Sequence, residues 1–308
     1  MDAIRCEGLS RRYGEVDALR DLDLEVSQGA VFGFLGKNGA GKTTTIRLLT
    51  GLARPSSGQA WVDGVQTLDS SGSARGHFGY LPEEPAFYTW MTPREFLDYV
   101  GKLYGLESSD RKDRISELLE LTELKKAENR KIGGFSRGMR QRLGLAQSLI
   151  HHPPVLFLDE PTSALDPSGR RAVLDLIDHL RGETTIFLSS HILDDVERVC
   201  DQIGVIHEGR LLLVANRDEL LERYTSNVVI LEFDQACVPL PKVFLDQLVK
   251  TEWIESINHE STQVRLSVSD IQTSKKEMLK IIGESGLLLN RYEWVRPSLE
   301  DIFLRIST

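Results

Sequence analysis

Residues Gly36 to Thr43 read GKNGAGKT: a glycine, four residues, then Gly-Lys-Thr. Glycines let a backbone wrap closely around a phosphate. The N–H groups from Asn38 through Gly39, Ala40, Gly41, Lys42 and Thr43 to Thr44 would then point inward as an anion nest. In such a loop the lysine ammonium, here Lys42, reaches the terminal phosphates, and the Thr43 hydroxyl is placed to bind Mg²⁺. The ligand implied is a nucleoside triphosphate. A second cluster closes the apolar run VLFLDE with Asp159 and Glu160. If that run is a strand of a doubly wound sheet, its C-terminal end opens on the same crevice as the phosphate loop. Asp159 would then serve the Mg²⁺ shell, and Glu160 would orient or deprotonate an attacking water. His191, just after FLSS, would reach the γ-phosphate from the far side. A third cluster, FSRGM from Phe135 to Met139, puts Ser136 and Gly138 where a helix begins. Ser136 is a good N-cap and the helix dipole favours an anion, but nothing requires that anion to be held by the same chain.

Positioning these groups needs strands and helices in the right order. Up to about residue 222, β-rich runs alternate with helical ones, which predicts a mainly parallel sheet with covering helices. AVFGFLG (30–36) is a strand leading into a helix whose Ile46, Leu48 and Leu49 are apolar and which Gly51 closes. Thr92, Pro93 and Glu95 form a capping box before FLDYVGKLYG, and residues 86–152 read as a mostly helical insert. PVLFLDE (154–160) and TTIFLSS (184–190) are buried strands flanking the helix PSGRRAVLDLIDHLRG. After Tyr224 the order becomes β, α, β, β, α, β, the ferredoxin-like succession, followed by a short helix SLEDIFLRI. The expected division is 1–222 and 223–308.

The chain has 308 residues, ample for a buried core and more consistent with two domains than one. A net charge of -9 argues against a general nucleic-acid surface, which must be basic. Cys6, Cys200 and Cys237 are scattered without C-x-x-C spacing, so reduced thiols are expected. The apolar runs AVFGFLG, PVLFLDE and GRLLLVA are strand-length, and the first residues lack the apolar core of a signal peptide. Any membrane crossing is therefore expected from another chain.

Other groups have plainer readings. Ser189, Ser190, His191 and Asp194 lack the G-x-S-x-G elbow of a serine hydrolase. His151 and His152 before Pro153 and Pro154 read as a turn, without partners at metal-ligand spacing. Phe87, Tyr88 and Trp90 either pack the helical insert or, if exposed, anchor an interface.

Six motifs in one order carry a family resemblance: Tyr13, GKNGAGKT, YLPEE, FSRGM, VLFLDEP followed by SALDP, and SSH. On these the chain resembles the ATP-binding cassette family, the ATPase subunits of ABC transporters, from residue 3 to about 215. The resemblance implies an α/β P-loop NTPase fold: a mainly parallel sheet, an antiparallel β-subdomain and a helical subdomain, here with an added C-terminal α+β ferredoxin-like domain. It implies ATP and Mg²⁺ as cofactors, Tyr13 as the adenine-stacking aromatic, and metal contacts from Thr43, Asp159 and Glu83. It also implies that Ser136, Arg137 and Gly138 close over ATP held by a second copy, with Asp166 at that subunit boundary.

Departures from the family pattern are Phe135 for Leu, Arg137 for Gly, Met139 for Gln and Glu83 for Gln. Arg137 either adds positive charge near a γ-phosphate or points to solvent, and Glu83 adds negative charge beside the phosphates. The variant signature, YLPEEP and SLEDIFL resemble the ATPase subunits of bacterial exporters for drugs, antibiotics and polysaccharides. The partners expected are a second copy and a membrane permease docked near the aromatics, with no nucleic acid and no direct membrane insertion. The expected location is cytoplasmic, peripheral on the inner face of the cell membrane. The rivals are a cassette ATPase acting on chromatin, DNA repair or the ribosome, and a nucleotide-dependent regulator with little turnover.

Overall fold

The structure, a computed structural model, describes residues 2–68, 73–163, 165–223 and 227–295. Two compact units divide it, one reaching Asp218 and the other starting at Glu219.

The first unit opens with β1 (Asp2–Tyr13), β2 (Val16–Ser27) and β3 (Val31–Leu35), then α1 (Lys42–Leu49), β4 (Ser57–Val62), β5 (Val65–Gln66) and β6 (Phe78–Leu81). Three helices follow, α2 (Pro93–Leu103), α3 (Ser108–Leu121) and α4 (Arg137–Ser148). The chain then returns through β7 (Val155–Asp159), α5 (Pro167–His179), β8 (Thr185–Ser190), α6 (Leu193–Val199), β9 (Gln202–His207) and β10 (Arg210–Asn216). Helix α7 (Arg217–Arg223) carries the chain across the boundary.

Six strands form the central sheet in the order β10-β9-β3-β8-β7-β6, parallel from β9 to β6 with β10 antiparallel at one edge. Strands β3, β7 and β8 are buried at every position, as parallel strands covered on both faces must be. A layer of aromatic rings ties three of them together: Phe187 lies 5.3 Å from Phe32, 5.2 Å from Phe34 and 5.8 Å from Phe157, centroid to centroid. Such offset ring pairs add about 0.5–1.5 kcal/mol each beyond the area they bury.

The expectation of alternating β and α elements from the first residue fails before Lys42. No helix occurs there among the described residues; β1 and β2 instead form a long antiparallel hairpin in a second sheet, β2-β1-β4-β5. Leu22, Leu24 and Val26 alternate with exposed residues, the period of a half-buried strand. One extra residue in β2 between Leu19 and Leu22, with Asp21 at φ +49°, makes a bulge that keeps Leu19 on the buried face as well. These residues, with Ile46, Leu48 and Leu49 of α1, pack in one core with Phe32, Phe34 and Phe157. This is the antiparallel subdomain that the family resemblance implied.

The helical insert starts at the expected capping box. Thr92 Oγ1 accepts the Glu95 N–H at 3.2 Å, Glu95 Oε2 accepts the Thr92 N–H at 2.8 Å, and Pro93 takes the first helical position. All three thiols are free, Cys6 and Cys200 buried and Cys237 half-buried; burial pushes the Cys6 thiol up to about 12.

The second unit holds β11 (Val228–Phe233), α8 (Lys242–Val249), β12 (Ile254–Glu260), β13 (Gln263–Val268), α9 (Ile271–Ser285) and β14 (Leu289–Trp294). Its antiparallel sheet runs β12-β13-β11-β14, the ferredoxin-like order. Val229, Leu231, Phe233, Val264 and Leu266 face Phe244, Leu248, Met278 and Ile282 of the two helices in its own core. The expected terminal helix SLEDIFLRI lies outside the described residues.

Candidate active site

The phosphate loop joins the end of β3 to the first turn of α1. Gly41 sits just before the helix at φ +113°, and a Cβ there would lie 2.7 Å from the Ala18 carbonyl oxygen, so only glycine fits. Lys42 is the first helical residue and is buried. Its ammonium donates to the carbonyls of Gly36 at 2.7 Å and Lys37 at 3.3 Å, folding the loop around the charge. Nζ also lies 3.1 Å from Glu160 Oε1, an ion pair whose angles are poor for a hydrogen bond. Loop, helix N-terminus and lysine together make the floor of the crevice electropositive. The Ala40 N–H is committed to the Lys37 carbonyl at 3.1 Å, so in this conformation the expected nest is free of that donor.

Glu160 lines the crevice while Asp159 stays outside its lining; β7 pairs in parallel with β8, which places Asp159 beside Ser189. Asp159 is 1% exposed. Its Oδ1 accepts the Ser189 hydroxyl at 2.7 Å and the Thr43 hydroxyl at 3.2 Å. Burial pushes its carboxyl above the usual range, and those two hydrogen bonds oppose the shift. Glu160 turns the chain with φ +49°, a left-handed conformation uncommon for a residue with a side chain. Its N–H is held by the Ser189 carbonyl at 3.2 Å and the Ser189 hydroxyl at 3.0 Å. Its Oε2 faces His191, with Nδ1 at 2.7 Å and the backbone N–H at 3.3 Å. A donating Nδ1–H at that distance would leave Nε2 as the free end of the ring.

These elements enclose a crevice of about 270 Å³. Asn38, Gly39, Gly41, Lys42, Thr43 and Thr44 line it from the loop and helix, and Glu83, Glu160 and His191 from three other segments. Ala18 of β2 also lines it, a residue with no chemical group to announce it in the sequence. Tyr13 does not. It ends β1, 43% exposed, with the Arg11 guanidinium over its ring at 4.3 Å from the centroid.

The Ser136 cluster also lies outside this crevice. Ser136 caps α4, accepting the Met139 N–H at 3.2 Å, as expected of an N-cap. Gly138 is open: a Cβ there would meet only Leu165, at 3.8 Å. Arg137 lies 3.8 Å from Glu84, and both line a separate cavity of about 250 Å³ that shares Glu83 with the first. Asp166 caps α5, accepting the Gly169 N–H at 3.2 Å and the Ser168 hydroxyl at 2.7 Å, bonds that hold its carboxyl below the usual range.

Sequence reasoning did not find the support behind these groups. Ser189, noticed only as a discarded hydrolase residue, ties the Asp159 carboxylate to the Glu160 backbone N–H. Asp195, 1% exposed, accepts Thr162 Oγ1 and Arg170 Nε, both at 2.5 Å, and so links the turn after Glu160 to α5. Nothing local marks either residue; only the strand order brings them in. Of the aromatics, Phe87 packs edge-on against Phe96 at 5.1 Å, while Tyr88 and Trp90 remain exposed. His151 stacks flat on Tyr104 at 3.8 Å, and no group of three or more His, Cys, Asp or Glu side chains that could hold a metal ion occurs among the described residues.

The geometry agrees with what comparison shows. Residues 19–163 match the family model described as ABC transporter, and residues 216–307 match that of the ATP-binding protein DrrA1-3-like C-terminal domain. The uncharacterized ABC transporter ATP-binding protein YxlF of Bacillus subtilis (strain 168) is 37% identical over 301 residues, 97% of this chain and 98% of that one. The bacitracin transport ATP-binding protein BcrA of Bacillus licheniformis is 37% identical over 98% of this chain and 96% of its own length. A solved ATP-binding subunit of an ABC transporter, 30% identical, superimposes with a TM-score of 0.66 over 72% of this chain and 93% of that one. With a strand-to-helix phosphate loop facing Glu160 and His191, and with Asp159 bonded to Thr43 of that loop, the chain belongs to the family of ABC transporter ATP-binding proteins, whose members hydrolyse ATP to power transport.

Proposed function

We propose that the protein is the ATP-hydrolysing subunit of an exporter of the drug and antibiotic type, working with a separate membrane permease. The observation that carries this reading is Glu160: a buried carboxylate inside the phosphate crevice, 3.1 Å from Lys42 Nζ and 2.7 Å from His191 Nδ1. No helix among the described residues is long and apolar enough to cross a membrane. The cassette, expected over 1–222 with its helical part about 86–152, gives way to the accessory domain expected over 223–308 four residues earlier, between Asp218 and Glu219. The protein is placed on the cytoplasmic face of the membrane through the permease, and exposed Tyr88 and Trp90 with Tyr99 supply aromatic anchors for that contact.

The residues divide the work by chemistry. The N–H groups of Asn38, Gly39 and Gly41–Thr44 and the Lys42 ammonium take the phosphates, the Ala40 N–H joining them only if it leaves the Lys37 carbonyl, and Tyr13 stacks on adenine with the ring face that Arg11 leaves open. Glu160 accepts the proton of the attacking water, and His191 holds that carboxylate and presents its outer nitrogen to the γ-phosphate. The site fits Mg²⁺. Both hydroxyl donors converge on Asp159 Oδ1, so Oδ2 and a lone pair of the Thr43 oxygen stay available, and Glu83 adds a third oxygen group suited to a hard cation. Bound there, the ion would neutralise charge on the phosphate oxygens. Ser136, Arg137 and Gly138 sit at an open helix start outside the crevice and close over ATP held by a second copy, with Asp166 at the boundary.

Glu160→Gln tests the assignment. Phosphate release falls by roughly 10²- to 10⁴-fold, the usual cost of a lost general base, while ATP binding survives. With ATP that variant forms a dimer in sizing with light scattering, and adding Ser136→Arg abolishes it. Unchanged single-turnover hydrolysis removes Glu160 from its role, and a Ser136→Arg variant that still dimerises removes the signature from the interface.

A further inference from the structure

We propose that Ser189 is a positioning residue for hydrolysis, a single hydroxyl that sets both carboxylates of the site at once. This rests on the roles proposed above for Asp159 and Glu160. Ser189 is fully buried on β8, next to Asp159 across the sheet. A hydroxyl carries one proton and two lone pairs, and here both kinds of site are used. The proton goes to Asp159 Oδ1 at 2.7 Å, and a lone pair accepts the Glu160 N–H at 3.0 Å.

Each contact has a directional consequence. With Thr43 also donating to Oδ1, Asp159 is fixed by two donors on one oxygen, which leaves its second oxygen without a donor. The N–H that Ser189 holds belongs to a residue at φ +49°, a conformation that persists only when its surroundings enforce it. That turn sends the Glu160 carboxylate back into the crevice, between Lys42 and His191. One hydroxyl therefore couples the aim of the cation-binding carboxylate to the aim of the base. The fold itself does not depend on it, because Asp159 keeps the Thr43 hydroxyl at 3.2 Å and the Glu160 N–H keeps the Ser189 carbonyl at 3.2 Å.

The test compares Ser189→Ala, Ser189→Thr and Ser189→Cys in the full chain, each alone and in the Glu160→Gln background. Ser189→Ala is expected to lower kcat by about 10- to 100-fold, the range typical when a group orienting a ligand is lost. KM for ATP, ATP affinity measured in EDTA and the melting temperature should stay near the parent values. Ser189→Thr, which keeps the hydroxyl, restores most of kcat. Ser189→Cys, which keeps the shape with a weak donor, falls between and gives the same split should the alanine disturb the fold. In the Glu160→Gln background Ser189→Ala should cost much less, because residues acting as a unit are non-additive. A full kcat in Ser189→Ala, equal losses in the alanine and threonine variants, or an undiminished loss in the Glu160→Gln background would each overturn the proposal. If Glu160→Gln itself leaves turnover intact, the catalytic reading fails rather than this one.

Discussion

Replacing Lys42 with methionine keeps most of the buried stem and deletes the ammonium. Three contacts go with it: the carbonyls of Gly36 at 2.7 Å and Lys37 at 3.3 Å, and the pairing with Glu160 Oε1 at 3.1 Å. Lys42 and Glu160 are each 5% exposed, so the carboxylate left behind has little water to turn to. Removing one partner of a buried ion pair costs about 3–5 kcal/mol, most of it the uncompensated charge. His191 still offers its Nδ1 and backbone N–H to the other carboxylate oxygen, which places the expectation near the lower end, about 3 kcal/mol. For a unit of this size that corresponds to a drop of about 6–12 °C in melting temperature. Scanning calorimetry on nucleotide-free protein in EDTA measures it, and the transition that ATP raises in the parent protein identifies the cassette. The decisive variant is Lys42→Met with Glu160→Gln, which removes the orphaned charge together with its partner. It should recover more than half of the lost stability while hydrolysis stays abolished. A double variant that melts no higher than Lys42→Met would show that the lysine holds the carbonyls alone and that the Glu160 charge is not a burden to the empty site.

Two further outcomes follow from the same geometry. Tyr13→Ala should weaken ATP binding by about 5- to 150-fold, the range of 1–3 kcal/mol for a stacked base, and Tyr13→Phe should not; equal affinities in a titration with labelled nucleotide would take Tyr13 out of the site. Gly79→Ala should destabilise the cassette by about 1–3 kcal/mol or more in urea unfolding, because its Cβ would lie 2.0 Å from the Ser148 carbonyl oxygen where β6 passes α4; an unchanged midpoint would mean that the strand and helix can part freely there.

Some of the fold was legible because it is local. The Thr92 capping box needs only residues three apart, and the second unit's succession of elements shows in the hydrophobic period of each segment. The antiparallel hairpin β1–β2 was harder to read. Its period-two pattern is broken by the bulge at Asp21, and pairing partners are set by the register of the hairpin rather than by either strand alone.

For the site the division is sharper. Residue types and spacing from Gly36 to Thr43 were enough to specify a phosphate loop, since a tight turn, free N–H groups and a lysine at a helix start are all properties of one short segment. VLFLDE likewise announced a buried strand ending in two carboxylates. What tertiary structure alone decided was which groups would be neighbours. β8 inserts between β3 and β7, so Ser189 meets Asp159 across 30 positions of sequence and Lys42 meets Glu160. It also left Tyr13 outside the crevice lining and brought Ala18 into it. Strand order follows from how whole elements pack and cross over the sheet, a long-range balance to which no single stretch of residues holds the answer.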